Sequence, residues 1–171
     1  MHNKTRSRRA SAQGLVEFAL IMPLLLAILM GIIDFGWLVF NYTALYNGMR
    51  EGLRYGSVPT FSDTAPDQFR DCDGIRAHIV SLASSSGIKA SDITIYYDHG
   101  YSTGSSDNTH NLGYCPIGST STVALSNGDR IVIQISTNVR LLTPFFGVWA
   151  RNGLNFQFRA ARTIYPDGIV V

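Results

Sequence analysis

The apolar positions of this chain fall into one long block followed by shorter, patterned stretches. Leu15 to Phe40, LVEFALIMPLLLAILMGIIDFGWLVF, is almost continuously apolar; it carries no charge from Phe18 to Ile33, and Glu17 and Asp34 bracket that run. A helix needs about 20 such residues to cross a hydrocarbon core. Pro23 would break a helix in water, but a membrane helix tolerates it as a kink. Beyond Phe40 the pattern becomes periodic. Tyr42, Leu45, Tyr46, Met49 and Leu53 follow i, i+3, i+4, i+7 spacing, which predicts an amphipathic continuation that packs under its own domain or against another subunit and is stopped by Gly56 and Pro59. One helix over residues 15–56 would be ~60 Å long. Gly48 and Gly52, four apart, permit the close approach of another helix.

The remaining pattern is that of a small water-exposed domain. Ser57 to Asp71 reads as a loop, and Asp73 as the cap of a short helix over residues 74–84, with Ile75, Ile79 and Leu82 on one side and Gly87 ending it. Residues 92–97, DITIYY, are β-branched and aromatic and read as a strand. Residues 129–139, DRIVIQISTNV, alternate clearly, and so do residues 154–165; between them LLTPFFGVW forms an apolar corner broken by Pro144 and Gly147. The expected fold is α+β: a long N-terminal transmembrane and amphipathic helix, then a small domain with a short helix and an antiparallel sheet. Along the chain this gives a basic cytoplasmic leader at 1–13, the spanning helix and its extension at 14–57, and an exported domain at 58–171.

Charge fixes the orientation this implies. The net charge is only +2, yet Lys4, Arg6, Arg8 and Arg9 all precede the apolar block, with no acid before Glu17. Basic flanks stay cytoplasmic, so the leader is placed inside and the domain outside. Met1–Gln13 has no apolar periodicity and is expected to lack structure in water. The rest of the chain is close to neutral, which argues against a nucleic-acid partner. The apolar block is longer than the h-region of a cleaved secretory signal, about 7–15 residues, so a permanent single-pass anchor is expected. Two cysteines, Cys72 and Cys115, lie in the polar part. Outside the cytoplasm an even count favours a disulfide, whereas a reducing compartment would leave two free thiols. Residues 100–121 form a Gly/Ser/Thr/Asn-rich loop of a length uncommon in a compact domain unless it is stapled or functional.

Several motifs in order carry a family resemblance. They are Val16-Glu17-Phe18-Ala19-Leu20, the early Pro23, Ile33-Asp34-Phe35-Gly36, and Arg50-Glu51-Gly52-Leu53-Arg54-Tyr55. Over residues 12–58 the chain resembles TadE-like proteins, minor pilin or pseudopilin components of tight-adherence (Flp-type) pili. The resemblance implies a membrane protein of pilus assembly and cell adhesion, seated in the bacterial inner membrane or incorporated in a pilus. Its implied partners are other pilus or pseudopilin subunits, the assembly platform and a prepilin peptidase. It also implies peptidase cleavage five residues before a glutamate followed by an aromatic. Counted from Glu17-Phe18, the first mature residue is Gln13 and the residue before the cut is Ala12, where the family pattern prefers glycine. Glu17 would then find its partner in the freed α-ammonium of an adjacent subunit.

Candidate chemistry is sparse. His99 and His110, near Asp98 and Asp107, match no zinc spacing, and Asp71-Cys72-Asp73-Gly74 resembles a calcium-loop fragment without its glutamate. No nucleophile elbow, phosphate loop or CxxC occurs. The reading is therefore of a non-enzymatic protein with no cofactor and no metal site. Phe145, Phe146 and Trp149, in the most apolar run of the exported part, suit either a core corner or a contact surface for another subunit or the outer leaflet. The alternative to pilus assembly is a membrane-anchored extracytoplasmic binding module that holds a ligand in the 100–121 loop.

Overall fold

The computed structural model describes residues 5–59, 67–100, 111–143 and 153–166, with side chains from residue 13 onward. Helix α1 runs uninterrupted from Thr5 to Tyr55 and contains Pro23. It begins inside the basic head, which was expected to be unstructured. The residues from Thr5 to Gln13 are mostly Arg, Ala, Ser and Gln, with no Pro or Gly to stop a helix propagating backwards from the apolar block. The chain forms two compact units, Met1–Val39 with Arg140–Gly153, and Phe40–Val139 with Leu154–Val171.

In the second unit, α2 (Cys72–Leu82) accompanies a four-stranded sheet of β1 (Ile93–Asp98), β2 (Asn111–Tyr114), β3 (Arg130–Val139) and β4 (Leu154–Thr163). The order across the sheet is β2-β1-β3-β4, and every pair is antiparallel. The α+β fold with a long leading helix is thus the one the pattern predicts. β2 is the addition. Its four residues lie in the stretch read as loop, and its pairing with β1 shifts register between Tyr97 and Asp98. Such a short, glycine-containing strand has no periodicity to announce it.

The core lies between one face of the sheet and the two helices. Ile93, Ile95 and Tyr97 of β1 pair with Ile135, Ile133 and Ile131 of β3, and all six are buried. Over them α1 presents a buried arc of Asn41, Leu45, Gly48, Met49, Gly52, Leu53 and Gly56. This arc shares Leu45, Met49 and Leu53 with the stripe read from apolar side chains, but Tyr42 and Tyr46 are exposed, and Asn41 and three glycines widen the arc on the other side. Glycine explains the difference. A Cβ on Gly52 would stand 2.5 Å from Ile79 Cγ1, and one on Gly56 would stand 2.9 Å from both Ile131 Cδ1 and Ile75 Cδ1. The helix buries its small residues because they let α2 and the sheet come closest. Tyr42 flanks the contact, its ring 5.1 Å from Phe158 and 6.2 Å from Phe156.

α2 is capped by Asp71, not by Asp73. Asp71 Oδ1 accepts from the Gly74 amide at 2.9 Å, while its other oxygen accepts from the Tyr55 hydroxyl. Asp73 instead accepts from the amide of Gly118 at 3.0 Å, holding the far loop. The helix stops at Leu82, and Gly87 ends the 3-10 turn Ser84–Ser86 that follows; Ile75 and Ile79 are buried, but Leu82 is exposed. Starting the helix at Cys72 sets that residue 5.5 Å, Cα to Cα, from Cys115, and the two form a disulfide.

The disulfide closes a chain separation of 43 residues. A loop of that length gives a chain-entropy contribution of about 4 kcal/mol. The Cys72→Ser/Cys115→Ser double variant of the full chain in detergent is expected to lose about 2–5 kcal/mol in denaturant unfolding. Strand signatures in circular dichroism are expected to persist at low denaturant.

Candidate functional site: an apolar helix with a clasped acid

From Gln13 to Leu26 every residue of α1 is exposed, including Leu15, Phe18, Leu20 and Leu24. Among the described residues this is the one helix long and apolar enough to cross a membrane. Its length, composition and exposure are compatible with a membrane anchor. Glu17 lies on this exposed surface, and its Oε1 accepts from Gln13 Nε2 at 3.3 Å, one helical turn earlier. The expected mature N-terminal residue and the glutamate are therefore already on one face. The Ala12 side chain lies outside the described ones.

Asp34 behaves differently. Only 4% of it is exposed, although its neighbour Phe35 is 69% exposed. Its Oδ1 accepts from the amides of Leu142 and Thr143, each at 2.9 Å, and its Oδ2 accepts from the Thr143 hydroxyl. One turn on, Trp37 Nε1 donates to the carbonyl of Arg140 at 3.2 Å. Asp34 and Trp37, at i and i+3 on one face of the helix, thus hold the backbone that follows β3. The hydrogen-bond partners of Asp34 are not legible in the sequence, because they lie more than 100 residues away. Phe145, Phe146 and Trp149 lie outside the described residues.

A second polar node secures the domain. Arg76 on α2 is 3% exposed, and its guanidinium donates to the carbonyls of Cys72 (3.2 Å), Pro116 (2.7 Å), Cys115 (2.6 Å) and Ile93 (3.4 Å). Burial lowers its pKa and the charge of Asp73 opposes that, but the mostly exposed Asp73 stands 3.8 Å away. The carbonyls around the disulfide therefore do most of the satisfying of this buried cation. Tyr97 completes the node: its hydroxyl donates to the Phe69 carbonyl at 2.5 Å and lies 3.1 Å from Cys115 Sγ. Sequence reading passed over Arg76; the available signal was a cation beside Ile75 on the apolar side of a short helix.

At the other end of β1, Asp98 and Arg130 are register partners and form a bidentate pair at 2.7 and 2.9 Å. Gly100 N also donates to Asp98. Burial pushes the Asp98 carboxyl up, but the Arg130 and Gly100 hydrogen bonds, with the charges of Arg130 and Arg159, outweigh it and hold the carboxyl below its usual range. His99, half-exposed, shares a 2.7 Å hydrogen bond with the buried Asp129, whose other oxygen accepts from Ser126 N. These acids tie turns and strand ends together. Among the described residues no group of three or more His, Cys, Asp or Glu is placed to hold a metal ion. His110 and Asp107 lie outside those residues.

Two outcomes follow from these contacts. Asp34→Ala removes a charged acceptor worth about 2 kcal/mol per hydrogen bond. Amide exchange at Leu142 and Thr143 is expected to accelerate at least ~10-fold, and Asp34→Asn, which keeps an acceptor oxygen, is expected to have a smaller effect. The depressed Asp98 carboxyl stabilises the fold above the unfolded carboxylate value of about 3.9. That contribution is lost as pH falls through the lower folded value. The stability gap between the parent and Arg130→Met, measured by thermal unfolding in detergent, should therefore be full at neutral pH and shrink below about pH 4.

Against known families, residues 12–54 match the model described as TadE-like protein. No curated protein and no solved structure matches the chain. The matched stretch carries Glu17, Pro23, the clasping Asp34 and the glycines of the buried arc at Gly48 and Gly52. Over residues 12–54 this chain is similar to TadE-like proteins, the family that its N-terminal motifs resemble.

Proposed function

We propose that the protein is a membrane-anchored TadE-like minor pilin or pseudopilin that acts in assembly of a tight-adherence (Flp-type) pilus. The observation that carries this reading is the exposed apolar face of α1 from Gln13 to Leu26, within the segment that matches the TadE-like family. An exposed surface of this kind has two natural neighbours, lipid tails and the helices of other subunits. Pilus-assembly function uses both in turn: the helix anchors the subunit in the inner membrane, with the basic head cytoplasmic, then packs against neighbouring subunits or the assembly platform. The disulfide-stapled domain, on the extracytoplasmic side, supplies the second packing surface. Its disulfide suits an oxidising compartment.

Processing is part of the proposal. Prepilin peptidase hydrolyses the Ala12–Gln13 bond, which leaves an α-ammonium on Gln13, four residues from Glu17. The carboxylate then has a cationic partner, on its own chain or a neighbour's, which an acid at a membrane edge requires.

The test exchanges residues 15–33 for an unrelated spanning helix, leaving Asp34 and Trp37 in place. Membrane integration and the disulfide should be retained while piliation falls by an order of magnitude or more. Full piliation with the foreign helix would instead support an anchored binding module. Intact-mass measurement of the membrane-extracted protein should give a chain beginning at Gln13; a chain retaining Met1 or residues 2–12 would remove the processing step.

A further inference from the structure

The geometry points to residues 140–143 as a lipid-contacting foot: the Asp34 clasp sets this segment at the outer surface of the bilayer, where Leu142 enters the acyl-chain boundary and Arg140 meets the headgroups. The inference rests on the anchor reading proposed above and adds a second membrane contact, distant in sequence from the spanning helix. It concerns the first compact unit alone, which contains both Asp34 and residues 140–153.

Depth comes first. From Leu15 to Asp34 the helix rises roughly 30 Å, the thickness of a hydrocarbon core. Asp34 therefore stands one core thickness above the inner edge of the apolar block. A carboxylate at that level is costly unless its hydrogen-bonding capacity is filled. Here three donors fill it, the Leu142 and Thr143 amides and the Thr143 hydroxyl, and all belong to one segment. The acid is thereby shielded, and the segment is held at the acid's own depth.

The surroundings suit lipid. Leu142 is 59% exposed while its amide is bound to Asp34, so its side chain is presented outwards from a fixed backbone. Phe35, adjacent to the clasp, is likewise exposed, and so are Ile32 and Ile33 just before it. These residues continue the exposed apolar surface of the spanning helix. Trp37, whose indole N–H donates to the Arg140 carbonyl, is the residue type enriched at membrane interfaces. Arg140 is exposed beside it, a cation at the level of lipid phosphates. An apolar side chain, an interfacial aromatic and a cation stand in the depth order that a leaflet surface demands.

The experiment uses the full chain in nanodiscs, with single cysteines labelled by an environment-sensitive fluorophore. The native Cys72 and Cys115 are buried in their disulfide and stay unlabelled without reductant. Leu142→Cys is the probe, Leu25→Cys reports the anchor, and Thr122→Cys, an exposed loop position, reports water. Lipids carrying a quencher high on the acyl chain should quench the residue-142 label severalfold more than the residue-122 label, and an aqueous quencher should show the reverse order. Adding Asp34→Ala, or the milder Thr143→Val, should reduce lipid quenching at 142 and leave it unchanged at 25.

Four results would overturn the inference, and they are distinguishable. A water-accessible 142 label with a lipid-quenched 25 label removes the foot and keeps the anchor. Absence of lipid quenching at both positions removes the anchor itself. A 142 label shielded from water and also from lipid means that protein covers it. Undiminished lipid quenching at 142 in both clasp variants, with thermal unfolding intact, would mean that the acid does not set the depth.

Discussion

A helix backbone satisfies its own hydrogen bonds, which is why one element can pass through lipid and then form part of a folded domain; only its side chains need to change. α1 makes that change along its length. From Leu15 to Leu26 its side chains are exposed and, Glu17 apart, apolar, and from Asn41 to Gly56 one arc is buried against α2 and the sheet. The two regimes use opposite residues. The exposed part relies on Leu, Ile and Phe, whose bulk lipid or partner helices can cover. The buried part relies on Gly48, Gly52 and Gly56, whose lack of bulk brings Ile75, Ile79 and Ile131 into contact. Packing rather than apolar character therefore selects the buried arc, since close approach recovers dispersion contacts that a gap would forfeit.

The small domain faces a different constraint. It is too small to rely on core volume alone, and its loops are long. The answer is a node where one covalent bond and one buried cation act on the same backbone. The disulfide joins the start of α2 to the residue after β2, and Arg76, one turn along α2, collects the carbonyls of Cys72, Cys115 and Pro116. A guanidinium suits this position because its donors fan out in a fixed plane and reach several carbonyls at once; a lysine would offer one point of charge. Removing the cation would leave those carbonyls to find other donors in a buried place.

How much of this was legible depended on whether the signal was local. The apolar block, the alternation of β3 and β4, and the Cys72–Cys115 pairing reside in composition or short-range periodicity, and they were read with nearly the right bounds. The misreadings share one cause. The buried arc was assigned from large apolar residues, so Tyr42 and Tyr46 replaced the glycines that do the packing. Asp73, adjacent to Gly74, looks like the α2 cap from the sequence; only the fold shows that Asp73 is occupied by Gly118 N. β2 is hidden in a loop-like stretch because four residues carry too little pattern. Partners far apart in sequence, such as Asp34 with Thr143 and Arg76 with Pro116, leave no mark in either segment alone.

Asp34 shows why such distant partners matter for function. An isolated acid at the edge of an apolar helix has two ordinary fates, facing water or pairing with a cation. Here it is saturated by neutral donors, two amides and a hydroxyl. Neutral donors do not cancel the charge; they solvate it from a fixed direction, as water would, but without leaving. The consequence is mechanical as well as electrostatic. A carboxylate solvated by its own chain ties that chain to it, and the cost of leaving a buried acid without those donors becomes the energy that keeps residues 142–143 in place. Trp37 adds a second tie one turn away, so the segment is fixed in orientation as well as in position. The Ile33-Asp34-Phe35-Gly36 motif therefore has a physical reading in this chain: the acid holds residues 142–143 while the aromatic beside it stays exposed. A substitution at this position would be felt first at Leu142 and Thr143, and only then in the helix that carries it.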